Sequence, residues 1–141
     1  MKRKTLRIIA LVVALMLMLS VAASAAVNAS DYIAATSAWI TRDGNTVKVN
    51  FYIIGTDTMD KIGVKYVYLY ESTDNGWILV KTFSYTDSLY AADMMNSNSS
   101  FKAAYLPYYY GSANKTYFAD CRFYAEKNGG SDTIPQNTPI G

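Results

Sequence analysis

The sequence predicts an all-β domain: a single antiparallel β-sandwich of about seven short strands behind a removable N-terminal leader. Three observations predict it. Turn signals recur roughly every ten residues, apolar and polar residues alternate with period two between them, and no segment repeats its apolar residues with helical period. A closed barrel is the runner-up arrangement of the same strands.

The chain opens with Lys2, Arg3, Lys4 and Arg7 ahead of an unbroken apolar run from Ile8 to Leu19, followed by Ala23-Ser24-Ala25. A basic n-region, an apolar core shorter than the ~20 residues of a bilayer span and an Ala-x-Ala site describe a secretory signal peptide. Residues 1–25 are therefore expected to be removed, residues 26–30 to be a short polar leader and residues 31–141 to be the domain. The expected address is secreted or extracellular, with no stable membrane insertion after cleavage. An uncleaved anchor reaching Val27 is the alternative.

In the domain, "IAATSAWI" and "VKVNFYIIG" flank Asp43-Gly44, a strong hairpin signal, and Val47, Val49, Phe51 and Ile53 mark the buried face of the second strand. "GTDTMDKIG" reads as a turn region with room for a helical turn. "VKYVYLYE" and "WILVKTF" form the next hairpin around "STDNG", a partial match to the Asp-box S-x-D-x-G, in which Asp74 would accept backbone N–H bonds and Gly76 would allow the tight turn. A polar stretch from Ser84 to Ser100 follows, tethered by Met94 and Met95. "FKAAYL" is stopped by Pro107, "TYFADCRFYAE" is the longest alternating run, and "NGG" turns into a weak last strand near Asp132–Thr138 that Pro135 confines to an edge.

Charge and residue inventory exclude whole classes of function. Without the four cations of the leader, nine basic groups face 11 acidic ones, a net charge of −2, and the nine are scattered. Nucleic acid is therefore not an expected partner, since counterion release needs a basic face. The chain has no histidine and one cysteine. Ser-His and Cys-His relays, imidazole or thiolate metal sites and an internal disulfide are thus all ruled out. No cofactor and no metal are expected, although the oxygen donors of "GTDTMDKIG" and "STDNG" keep calcium open as a lesser reading. Carboxylate pairs, Asp57 with Asp60 or Asp120 with Glu126, are the surviving acid–base candidates, but such pairs need a cleft, and the chain is read as a non-enzyme.

Aromatic residues carry the remaining signal. Eight rings fall between Ala104 and Glu126. Alternation places Tyr117, Ala119, Cys121 and Phe123 opposite Asp120 and Arg122, so Tyr117, Phe123 and an inert Cys121 are expected in the core, an exposed Cys121 in an intermolecular disulfide being the alternative. Phe118 and Tyr124 fall on the charged side. With Tyr108, Tyr109 and Tyr110 beside Pro107 they are the candidate ligand-binding residues, because exposed Tyr offers contact area at low entropic cost. In "VKYVYLYE" either Tyr66, Tyr68 and Tyr70 or Val67 and Leu69 face the core, and periodicity alone leaves both open. Two functions follow: a non-catalytic binding or adhesion module for a glycan or an extracellular protein, or a structural, self-associating cell-envelope protein.

"GSANKTYFADCRFYAEKNGGSDTIPQNTPI" is similar to the end of a fibronectin type III module, which implies an immunoglobulin-like sandwich in which Tyr117 is the corner tyrosine, its hydroxyl returning to backbone upstream. "GTDTMDKIGVKYVYLYESTDNGW" with "YFADCRFYAEKNGGSDT" resembles a family of small exported proteins of Gram-positive anaerobes whose function is unknown. That resemblance implies export and brings no activity.

Overall fold

The computed structural model describes residues 30–141; the expected signal peptide and its cleavage site lie outside the described residues. Asp31–Gly141 forms one compact unit. Six strands, β1 (Ile33–Asp43), β2 (Thr46–Thr73), β3 (Gly76–Ser84), β4 (Met95–Tyr108), β5 (Tyr117–Lys127) and β6 (Gly130–Asn137), belong to a single antiparallel sheet, with one helical turn, α1 (Ala91–Met94), before β4.

The architecture rests on β2, which is 28 residues long. Along one of its edges it pairs first with β1 and then with β5; along the other, first with β4 and then with β3. The two halves of the sheet curl toward each other around one core. Val47, Val49, Phe51 and Ile53 of the first half meet Val64, Val67, Leu69, Ala119, Cys121 and Phe123 of the second, and the Phe51 and Phe123 rings touch edge-on at 6.3 Å. The inner face of one curled, half-barrel-like sheet thus interdigitates with itself and excludes water, in place of the two separate layers of a seven-stranded sandwich.

Strand number departs from the sequence expectation for a physical reason. The stretch Gly55–Gly63, read as a turn, continues β2 because Met59 and Ile62 are fully buried and the register shifts between Ile54 and Met59, absorbing the bend without ending the ladder. Ser84–Ser100 is likewise more ordered than its composition suggests. Met94 is fully buried at the end of α1, and β4 begins at Met95, pairing its polar residues with Met59–Gly63. Gly63 is required there, since a Cβ at this position would lie 1.9 Å from the Met94 carbonyl oxygen. Pro107 does not stop the strand, because β4 is paired only with β2 and an edge tolerates the missing N–H.

Turns match their residues. The β1–β2 hairpin closes through Gly44 at φ 59°, and the β5–β6 hairpin through Asn128 and Gly129 at 52° and 81°, the left-handed pair that a type I′ turn needs. The tail beyond β6 runs back along β5, where Thr138 exchanges bonds with Ala119 and Gly141 with Tyr117. Arg42 of β1 donates to the carbonyls of Ser112, Lys115 and Gly141, which ties the first strand to this tail across the curl.

Phe123 is fully buried where the two halves meet. Its truncation to Ala is expected to cost about 3 to 5 kcal/mol in denaturant unfolding. A cost below about 1 kcal/mol would show that the halves do not share a core.

Candidate functional site

The open question of β2's second half has a local answer. Val67 and Leu69 are fully buried, so Tyr66, Tyr68 and Tyr70 stand on the outer face. Sequence parity would put Val64 beside those tyrosines, yet Val64 is buried as well. A bulge between Val64 and Tyr66 inserts Lys65 and reverses which parity faces outward.

On this face the rings join. Tyr66 and Tyr68 stack at 6.1 Å, Tyr70 and Phe118 stack at 4.9 Å with a 10° interplanar angle, and Trp77 meets Phe118 edge-on at 4.8 Å. Tyr85 closes the row edge-on to Tyr66. Cross-strand register produces the contacts, with Phe118 of β5 opposite Tyr70 and Trp77 of β3 opposite Ser72. The result is a strip of two groups of three rings, Tyr85–Tyr66–Tyr68 and Tyr70–Phe118–Trp77, in which Tyr85 also packs against the core and Trp77 and Tyr66 are the most open to solvent.

An ion pair flanks the strip. Asp120 lies opposite Tyr68 and Arg122 opposite Tyr66, and the guanidinium donates to the carboxylate at 2.6 Å. Asp120 Oδ1 and Arg122 Nε are buried and have no hydrogen-bond partner, while the Arg122 side chain as a whole is 40% exposed and that of Asp120 19%. The strip thus has a part-exposed guanidinium at its margin.

The five residues expected to bind ligand do not converge. Phe118 belongs to the strip. Tyr109 and Tyr110 are strongly exposed at the far end of β4, while Tyr108 packs against the core and edge-on to Tyr110. Tyr109 lines a cleft of about 450 Å³ with Asp93, Ala103, Ala104, Tyr105 and Pro107. Tyr124 requires a correction: it is on the charged side but buried. Lys65, pushed out by the bulge, lays its ammonium 3.9 Å from the ring centroid, and the phenol donates to Glu126. Trp77, Tyr66, Tyr68, Tyr70 and Tyr85 make up the rest of the strip. Their alternation was visible in the sequence; their side was not.

The structural residues are placed as follows. Tyr117 is fully buried, accepts the Ser112 N–H at 2.7 Å, donates to Glu71 at 2.6 Å and lies under the Arg42 guanidinium. Burial, with the Glu71 bond second, pushes its pKa up. In the β2–β3 turn the hydroxyl of Thr73 accepts the Asn75 N–H and donates to the Gly76 carbonyl, so the side-chain capping expected of Asp74 falls to Thr73. Gly76 follows at φ 125°, where a side chain would be strained.

The acid–base candidates are occupied by structure. Asp57 pairs with Lys127, whose hydrogen bond, ahead of the Thr58 N–H, holds its pKa below the ordinary value. Asp60 accepts the Asn128 N–H at 2.9 Å, so both carboxylates fasten the β5–β6 hairpin to β2. Among the described residues no three His, Cys, Asp or Glu side chains cluster as metal ligands.

No family model matches the chain, and no curated protein does. A solved structure that aligns with it is the crystal structure of a hypothetical protein from Pyrococcus horikoshii OT3, at 15% identity and a TM-score of 0.34, covering 77% of this chain and 93% of that one. A likeness of that size carries no argument about fold or function.

Cys121 is fully buried, and burial, with the Asp120 charge second, pushes its thiol up to about 12 from an ordinary 9.0. A raised folded-state pKa means that stability is complete below about pH 9 and is lost as pH rises toward about 12, because the unfolded chain ionises first. Denaturant midpoints measured across that window are expected to fall, and to fall less steeply in Cys121→Ala. Equal slopes would refute the assignment. Thiol reagents are expected to label Cys121 only after denaturation.

Proposed function

We propose that this chain is a secreted, non-catalytic binding module that holds a glycan on the outer-face aromatic strip. One observation carries the reading: two groups of rings, Tyr85–Tyr66–Tyr68 and Tyr70–Phe118–Trp77, stand in stacked and edge-on contact along the outer side of a sheet whose core is filled mainly by other residues. Contiguous apolar surface of this kind marks an interaction site, because leaving it in water is unfavourable. The C–H face of a pyranose ring is apolar and weakly positive, and it suits the negative face of an aromatic ring. Hydroxyls at the sugar's rim accept as well as donate, which answers the Arg122 guanidinium beside the strip. An open row of rings suits a polymeric chain running across it, whereas a catalytic pair would need an enclosed substrate.

The leader's composition supports the secreted address, and the resemblance to small exported proteins agrees with it. The two facing halves of the sheet and the upstream hydrogen bond of Tyr117 support a finer kinship with immunoglobulin and fibronectin type III sandwiches.

Retention on insoluble polysaccharides (cellulose, chitin, xylan and peptidoglycan sacculi) tests the proposal. Wild-type protein is expected to be retained on at least one, and the Tyr66→Ala, Trp77→Ala double variant to be released while keeping its melting temperature within a few degrees. Tyr109→Ala with Tyr110→Ala, away from the strip, is expected to bind as wild type. No retention by wild type, or full retention by the strip variant, would overturn the assignment.

A further inference from the structure

The cleft beside Tyr109 lies apart from the aromatic strip. Its walls are Ala103, Ala104, Tyr105 and Pro107 of β4, Tyr109 just after it and Asp93 of α1, and its volume of about 450 Å³ falls in the range of small-ligand sites. Successive residues of a strand point to opposite faces. A cleft that touches Ala103, Ala104 and Tyr105 in turn therefore runs along an edge of β4 and not over one of its faces. That edge is the free one, because β4 is hydrogen-bonded to β2 alone.

The lining shares one chemistry. Asp93 is exposed and forms no ion pair among the described residues; Lys102, which follows it on β4, donates instead to the Ala92 carbonyl and to the Asn96 side chain. Its carboxylate thus gives the cleft an uncompensated negative charge. Tyr105 and Tyr109 are both exposed, and the face of an aromatic ring is the negative side of its quadrupole. Tyr105 already receives one cation, since the Lys48 ammonium lies 5.1 Å from its ring centroid. Lys48 stands opposite Pro107 on β2, so it reaches the ring from the paired edge of β4, and it does not line the cleft on the free edge.

We propose that this cleft binds an organic ammonium group, with Asp93 as its counter-ion and the Tyr105 and Tyr109 rings as its walls. A carboxylate beside two ring faces attracts a cation through each of its parts and repels an anion. A neutral ligand would gain from the rings alone. The carbons attached to the nitrogen meet Pro107 and the methyl groups of the two alanines, so the lining answers both the charge and the apolar body of such a group. It can arrive on a free quaternary amine or on a lysine side chain of another protein, which offer the same charge to the same walls. None of the strip's rings lines the cleft, and the proposal does not rest on the glycan reading.

Titration of the exported chain, followed by amide NMR shifts, tests it with three probes: choline for the free amine, acetyl-lysine amide for the protein-borne one, and the neutral alcohol in which carbon replaces the choline nitrogen. At least one ammonium is expected to give saturable shifts at Ala103, Ala104 and Tyr109, and whichever binds identifies the source; the neutral alcohol is expected to give none. Asp93→Asn, which removes the charge and keeps the size, is expected to weaken binding about five-fold, and Tyr109→Ala by about as much, with melting temperatures unchanged. The Tyr66→Ala, Trp77→Ala protein is expected to bind the ammonium as wild type does. Added salt supplies a readout without mutation and should weaken the wild-type complex. No saturable shift with either ammonium, equal binding of the neutral alcohol, or an Asp93→Asn protein that binds like wild type would each overturn the proposal. Loss of glycan retention alone would leave it standing.

Discussion

Strand β2 hydrogen-bonds to four other strands, and the position of every other element follows from that ladder. A strand this long cannot stay flat. Its right-handed twist accumulates, and the irregularities near Gly55 and at Lys65 convert twist into a bend, so that one strand supplies inner-face residues to both walls of the core. Phe51 and Phe123 meet because the same strand that carries Phe51 also carries, after its bend, the partner of Phe123. A sheet assembled from separate short strands would need other contacts to set that angle.

Polar groups close what the ladder leaves open. On the edge that β2 shares between β1 and β5, Arg42 reaches three carbonyls and the Tyr117 ring, while the Tyr117 hydroxyl joins Ser112 to Glu71. A buried hydroxyl must find partners or lose their hydration, so these bonds specify how the tail lies as much as they stabilise it. Asp57 and Asp60 do similar work at the opposite end by gripping Lys127 and Asn128. Carboxylates committed in this way hold the β5–β6 hairpin to β2.

The bulge at Lys65 decides which side chains of β2 face outward. By reversing parity it sends Val64 inward and Tyr66 outward, and it frees a lysine to cover Tyr124. One inserted residue therefore exposes three tyrosines and hides a fourth. Trp77 of β3 extends the group around Phe118.

The sequence by itself determined the all-β class, the hairpins at Gly44 and Asn128-Gly129, and the burial of Tyr117, Cys121 and Phe123. Turn chemistry and period-two alternation are local, and one strand's neighbours suffice to express them. Tertiary structure decided the rest. That Gly55–Gly63 continues a strand depended on Met59 and Ile62 finding a core to fill, and the start of β4 at Met95 depended on Met94 being buried against that same bend. Tyr124 lies on the charged side of its strand, as alternation implies, but is buried and not exposed, since its cover comes from a lysine 59 positions away in the chain. The outward direction of Tyr66, Tyr68 and Tyr70 could not be read from alternation, because the pattern is symmetric until something distant selects the inner face. Ala119 and Cys121 made that selection: opposite them the space is filled by Leu69 and Val67, and the tyrosines were left outside.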